Sequence, residues 1–356
     1  MADVAKPLEL APEEKPPTEE PSSEPVTSPP AGIVPLTEEP KPQAEAPPTK
    51  PASEEDKPKV EETVTAAPVT KPAESSSSNG PTWQPINDDH PISLLLKQLP
   101  AILKETSYAE VYGITLDPSG PFHTKLILQK FLRGNANDVD KAATQLKNTL
   151  KWRKEFQPLK ALEETFSKER FGGLGYVVEL TDVPGSENKK DIATFNIYGA
   201  VKDNKKTFGD IDAFLRWRVA LMELGIQKLA LLTVTTPIPD FGSGPDPHQG
   251  IQIHDYLQVS FLRQDPHVKA ASKAAIDTFS AYYPETLSRK IFVSVPLLMQ
   301  WMFTAMKVLL SRETVKKFSV LSYANQLHTA LGGSVPKGYG GSGGSLEEVG
   351  ETVKLE

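Results

Sequence analysis

The chain has 356 residues, a formal net charge of -7, 33 prolines and no cysteine. The missing cysteine excludes disulfides, thiolate metal sites and a cysteine nucleophile. Residues 1–82 hold 16 acidic and 7 basic side chains, which leaves the rest of the chain near +2, with no electrostatic case for nucleic acid.

Residues 1–82 are built from Pro, Glu, Ser, Thr, Ala and Lys. Such a segment buries too little apolar surface to offset its chain entropy, so it is expected to be a disordered acidic tail. Its start, MADVAKPLEL, lacks the apolar core of a secretory signal, which predicts a cytoplasmic chain. Order is expected from Trp83. ISLLLKQLPAILKE (92–105) has helical spacing, with Pro100 expected to kink or end the helix. TKLILQKFLRG (124–134) reads as a helix closed by Gly134. Asn137 or Asp138 can cap the next helix, whose Val139, Ala142, Ala143, Leu146, Leu150 and Trp152 form an apolar stripe toward Phe156. Residues 83–160 thus make an N-terminal helical region.

The pattern then changes. GYVVEL (175–180) and ATFNIYG (193–199) alternate like strands across a Pro/Gly/Asn turn. FGDIDAFLRWRVALMELGIQKLALL follows as a helix with Asp210 as cap, then the strand IQIHDYLQVSF (251–261). SKAAIDTFSAYYPETL is a helix ending in a YPE turn, and KIFVSVP a strand. An apolar helix, Leu297–Leu310, leads to the basic turn RETVKKF, a short strand SVL and a last helix SYANQLHTAL. Residues 342–356 are expected to be a flexible tail. Strands alternating with helices over 161–341 predict an α/β domain, a mixed or parallel sheet covered by helices. Phe292–Leu310 is almost long enough to span a membrane, but Pro296 divides it and Gln300 and Lys307 interrupt its helical part. Met299, Met302 and Met306 on that helix suit core packing, and equally a movable helix dipping into a bilayer.

Arg218 lies on or beside the apolar stripe of its helix, with Phe214 and Met222 spaced by four on either side. A buried guanidinium must be paired. Two readings stand: a salt bridge to Glu285 or Asp255, or the anion of a bound guest. His254 and Tyr256 are two apart on a strand and so share a face. They are either core residues or a ligand-facing pair, since imidazole and tyrosinate both bind iron. Tyr198 has the same ambiguity. RETVKK, which carries Thr314 and Lys317, reads in isolation as an ordinary solvated turn. Enzyme signatures are absent: no phosphate loop follows a strand, GYGGSGG (338–344) lies past the last helix, and there is no GxSxG or HExxH. His248 and His254 have no zinc-site spacing.

KFLRGNANDVDKAATQLKNTLKWRKEF, the segment FSAYYPETLSRKIFVSVPLLMQWMFTAMKVLLSRETVKKFSVL and the closing GYGG resemble the CRAL-TRIO lipid-binding proteins, over roughly residues 90–341. TFNIYG, FLRWRVALMELGIQKL and QIHDYLQVSF are similar to that family's fungal non-classical phosphatidylinositol transfer branch, which also binds haem. The resemblance implies a CRAL-TRIO domain whose sheet floors a hydrophobic pocket, with helix 297–310 as its gate. It implies a monomeric, non-enzymatic carrier, peripheral at the endoplasmic reticulum or microsomal membrane, that moves phosphatidylinositol and serves phosphoinositide supply. Haem b contacts would fall on Tyr198, Arg218, His254, Tyr256 and Lys290. Tyr256 would be the iron ligand with His254 beside it, and Arg218 and Lys290 would suit the propionates by charge. The lipid head group would meet Glu285, Thr314 and Lys317. The bulky HDY strand departs from the classical carriers and puts phosphatidylcholine exchange in doubt. Two rivals remain: a haem protein with a redox or oxidant-stress role, and an interaction scaffold working through the acidic tail.

Overall fold

The computed structural model describes residues 80–259, 265–297 and 316–356. Its organising element is a five-stranded sheet: β4 (Gly175–Leu180), β5 (Asp191–Ile197), β6 (Gly250–Asp255), β7 (Leu287–Val293) and β8 (Phe318–Val320), in that order. β4 runs antiparallel to β5, and every later pair is parallel. Parallel neighbours need crossovers. The β5–β6 crossover contains α7 (Ile211–Lys228), and α8 (Pro266–Tyr282) lies between β6 and β7. Asp210 and Asp265 cap these helices by accepting hydrogen bonds from Ala213 N and from His267 N and Val268 N.

The two faces of the sheet follow from strand parity. Phe195, Ile251, Ile253, Ile291 and Val293 face one side and pack with Leu327, Leu331, Val335, Tyr339 and Leu346 from the C-terminal segment. The opposite parity carries Thr194 and Asn196, Gln252 and His254, Lys290 and Phe292, matched across the strands by the register. α7 covers part of this second face. Gly175 lets it come close: a Cβ there would lie 2.3 Å from Leu221 Cδ2 and 3.0 Å from Trp217.

The N-terminal helices α1 (Pro91–Thr106), α2 (Phe122–Gly134) and α3 (Val139–Phe156) share one apolar core with Met222 and Ile226 of α7 and Tyr283 after α8. Asp138, one of the two expected caps, accepts from Lys141 N at 3.0 Å. Two expectations are corrected. Pro100 does not end α1; it sits inside the helix on its exposed side, where water can satisfy the freed carbonyl. Residues 342–356 are not a loose tail. Leu346 and Val353 are buried, Lys354–Leu355 form a parallel pair with Thr165–Phe166, and Glu351 bridges to Val177. The glycine-rich spelling hid two apolar anchors spaced seven apart.

Candidate ligand-binding site

Three strands bring the expected residues together on the second face. His254 lies near the end of β6 opposite Phe292, and Lys290 lies opposite Gln252. Tyr256 follows β6 but stays on its ladder through a bond from its N–H to Val293 O at 3.1 Å. Tyr198 opens a 3-10 turn just past β5. Gly199 permits that turn, because a Cβ there would fall 1.7 Å from Leu257 O. The Tyr198 hydroxyl then reaches His254 Nδ1 at 3.2 Å. Its ring lies 5.7 Å from that of His254 and 5.3 Å from that of Tyr256. Phe292 continues the aromatic wall, 5.4 Å from His254 and 6.1 Å from Tyr256.

Arg218 enters this face from α7. It is 3 % exposed, and its Nη1 has no hydrogen-bond partner. Both carboxylates expected as structural partners are engaged elsewhere. Asp255 points through the other face, where it accepts from Tyr339 Oη at 2.9 Å. Glu285 accepts from Gln249 Nε2 at 2.6 Å and lies 3.7 Å from Arg133 Nε and 3.8 Å from Lys317 Nζ. The guanidinium lies over ring faces, Phe279 at 5.1 Å and Trp217 at 6.0 Å, with no acid paired to it among the described residues. Lys290 likewise makes no hydrogen bond or ion pair among the described residues, and its ammonium lies 5.6 Å from the Phe292 ring centre.

The electrostatics follow from this company. Burial pulls the Arg218 pKa below its ordinary value. Burial, with Arg218 nearby, brings Lys290 down to about 8. Burial and then Lys290 and Arg218 hold His254 well below the usual imidazole range, so it is neutral at pH 7, with Nε2 buried and unbonded. Burial, reinforced by Tyr198, pushes the Tyr256 phenol well above its ordinary value. A small void of about 10 Å³ beside Arg218, lined by Leu174, Asn196, Tyr198, Phe214 and Trp217, has room for roughly one water.

A second cluster stands at the other end of β7, roughly 20 Å along the strand from Phe292. There Glu285 has a left-handed backbone (φ 53) and its carboxylate is shared by Gln249, Arg133 and Lys317. Lys130 supports it from below, donating to Glu285 O at 3.0 Å and to Asp246 at 2.6 Å. Gln249, Arg133 and Lys130 were not singled out in the sequence. The KxxR spacing within an apolar helix was the available signal. Thr314 and, beyond Leu297, the segment expected as the helix 297–310 lie outside the described residues.

Residues 91–148 match the CRAL/TRIO N-terminal domain and residues 183–341 the CRAL/TRIO domain. The chain is 57 % identical over 299 residues to the phosphatidylinositol transfer protein SFH5 of Phaeosphaeria nodorum, covering 84 % of this chain and 90 % of the relative. The chain belongs to the CRAL/TRIO family. It is also 52 % identical over 291 residues to the protein of that name from Cryptococcus neoformans, covering 80 % of this chain and 97 % of the relative. Its fold superposes on a crystal structure of Sfh5 with a TM-score of 0.62 at 29 % identity, over 76 % of this chain and 93 % of that one. In CRAL/TRIO terms, the expected fold and the resemblance both hold. No helix among the described residues is long and apolar enough to cross a membrane.

Proposed function

We propose that this chain is a lipid carrier that binds phosphatidylinositol and moves it between membrane surfaces. The observation that carries this reading is the shared cluster at Glu285 and Lys317, 3.8 Å apart, at one end of a sheet face that continues into aromatic side chains. A charged end and an apolar end on one face suit an amphiphile with a phosphate head and acyl tails. The driving force is burial of the chains, about 0.8 kcal/mol per methylene. The names of the relatives support the same ligand. In this reading the helix expected over residues 297–310 would be the gate, and the chain works as a monomer at the endoplasmic reticulum surface without performing catalysis. A transfer assay with labelled phosphatidylinositol tests it: Glu285→Ala and Lys317→Ala should each slow transfer, and unchanged rates in both would remove the assignment.

A second ligand, haem b, is favoured by a specific observation. Arg218 Nη1 and His254 Nε2 are buried without partners beside Tyr256. The donor set fits: two cations with no facing carboxylate among the described residues, a neutral imidazole and a buried phenol. Arg218 and Lys290 would hold the propionates, Tyr256 would supply the oxygen ligand, and His254 with Tyr198 would orient it. Bound haem would supply iron redox chemistry. The chain's own part is to keep water out and to hold Tyr256 as a phenol until a cation draws its proton away. Purified protein from haem-replete cells should show a Soret band that Tyr256→Phe shifts or abolishes; a colourless preparation would remove this ligand.

A further inference from the structure

The Glu285 carboxylate is held from one side only. Its Oε2 accepts from Gln249 Nε2 at 2.6 Å, and Arg133 Nε lies 3.7 Å from the same oxygen. Its Oε1 accepts no hydrogen bond among the described residues; Lys317 Nζ, at 3.8 Å, is beyond hydrogen-bond reach. Gln249 is buried, whereas the Glu285 side chain is 16 % exposed and that of Lys317 35 %. The oxygen toward Gln249 is therefore the inner one and the oxygen toward Lys317 the outer one.

The main chain of Glu285 is fixed independently. Lys130 Nζ donates to Glu285 O at 3.0 Å and holds the left-handed backbone (φ 53). Thr286 Oγ1 donates to Tyr283 O at 2.8 Å, and Tyr112 Oη to Pro284 O at 3.3 Å. These bonds place the Glu285 Cα and leave its side-chain torsions open. Arg133 does not set them either: its Nη1 and Nη2 donate to the carbonyls of Pro239, Asp240 and Gly244, and its Nε makes no hydrogen bond. The bond from Gln249 is thus the one hydrogen bond on the carboxylate among the described residues. Gln249 is tied to the same turn through its neighbour, since Gly250 N donates to Thr286 O at 2.9 Å and Ser288 Oγ to Gly250 O at 3.0 Å.

We propose that Gln249 is a positioning residue for head-group recognition: it fixes the Glu285 carboxylate with Oε1 turned to the guest, where that oxygen accepts a hydrogen bond from a head-group hydroxyl. This rests on the reading that Glu285 meets the phosphatidylinositol head. An ionised carboxylate only accepts, so what it reads is a donor, and the donors of that head are its hydroxyls. A cationic head is the poorer match, because Arg133 and Lys317 already stand beside the carboxylate. Holding one carboxylate rotamer before the guest arrives removes that ordering cost from binding.

Full-length protein is equilibrated with phosphatidylcholine vesicles carrying equal parts of phosphatidylinositol and phosphatidylethanol with the same acyl chains, then reisolated, and its bound lipids are counted by mass spectrometry. Phosphatidylethanol has the same phosphodiester charge and no head-group hydroxyl. Wild type should hold about tenfold more phosphatidylinositol than phosphatidylethanol, the worth of one hydrogen bond to a charged acceptor. Gln249→Met keeps the side-chain length and loses the donor, and should bring the ratio to within about twofold of parity. A change that only loosened the fold would lose both lipids together and keep the ratio, so a ratio kept in Gln249→Met overturns the proposal. Glu285→Ala separates the two claims. A ratio that survives it removes the head-group reading itself; a ratio lost there but kept in Gln249→Met removes only the role of Gln249. The wild-type arm does not depend on how either variant folds: equal loading of the two lipids would remove the hydroxyl contact and the proposal with it.

Discussion

The two faces of the central sheet are built to different ends. One is Phe195, Ile251, Ile253, Ile291 and Val293 under a C-terminal cover, closed with aliphatic and aromatic carbon. The other sets Asn196, Gln252, His254 and Lys290 on the same strands, one residue out of phase, beneath Arg218. The first face spends its residues on folding. The second carries buried polar atoms without a partner among the described residues, Asn196 Oδ1, Arg218 Nη1 and His254 Nε2, and a fold keeps these at a stability cost when a guest meets them. α7 contains the same contrast within five residues. Glu223 is fully buried and holds Arg153 Nη1 at 2.7 Å while Tyr283 Oη donates to it at 2.5 Å. Although burial opposes its charge, Glu223 and Glu110 keep Arg153 protonated with its pKa well above the ordinary value. Arg218, just over a turn away, has no acid paired to it among the described residues.

The largest effect should come from opening the closed face. Deleting residues 345–356 exposes the partners of Leu346 and Val353, at about 1.5–3 kcal/mol for each side chain. Urea unfolding should show a loss of about 3–6 kcal/mol; a loss under 1 would mean the cover is an ornament and the faces are less different than described. Next, Arg153→Met strands Glu223 and Glu110 without their cation, which should destabilise by about 3–5 kcal/mol. A neutral result would place Arg153 with Arg218 and erase the distinction.

A smaller effect belongs to Lys290 and has a defined sign. Its pKa falls from 10.5 unfolded to about 8 folded, so between those values the unfolded chain binds more protons. Stability contributed at this site therefore rises with pH across that window and is lowest below pH 8. Relative to Lys290→Met, the wild type should recover at most about 3 kcal/mol between pH 8 and 10.5. Parallel pH profiles for the two proteins would show that Lys290 has a partner after all.

Much of this was legible from residue order alone. Alternation placed the strands, and Asp138 and Asp210 were readable as caps because short acceptors before apolar periodicity have one use there. Parity put His254 and Tyr256 on one face, and spacing by four put Arg218 on a buried stripe. The partnering was not legible. Whether a buried cation meets Glu223 or nothing depends on how α3 and α7 cross, and no local pattern encodes that. Gln249 and Arg133 were missed for the same reason: their common partner Glu285 is supplied by a distant turn. The C-terminal segment misled because glycine frequency was read as flexibility, although Gly340 (φ 87) and its neighbours serve close backbone approaches.

The account rests on Arg218 having no acidic partner among the described residues. Urea unfolding of guest-free Arg218→Met beside guest-free wild type tests this most directly. Removing a buried charge that nothing offsets should leave the midpoint unchanged or raise it. A fall of several kcal/mol, matching that of Arg153→Met, would show that Arg218 holds the fold together and is not kept for a guest.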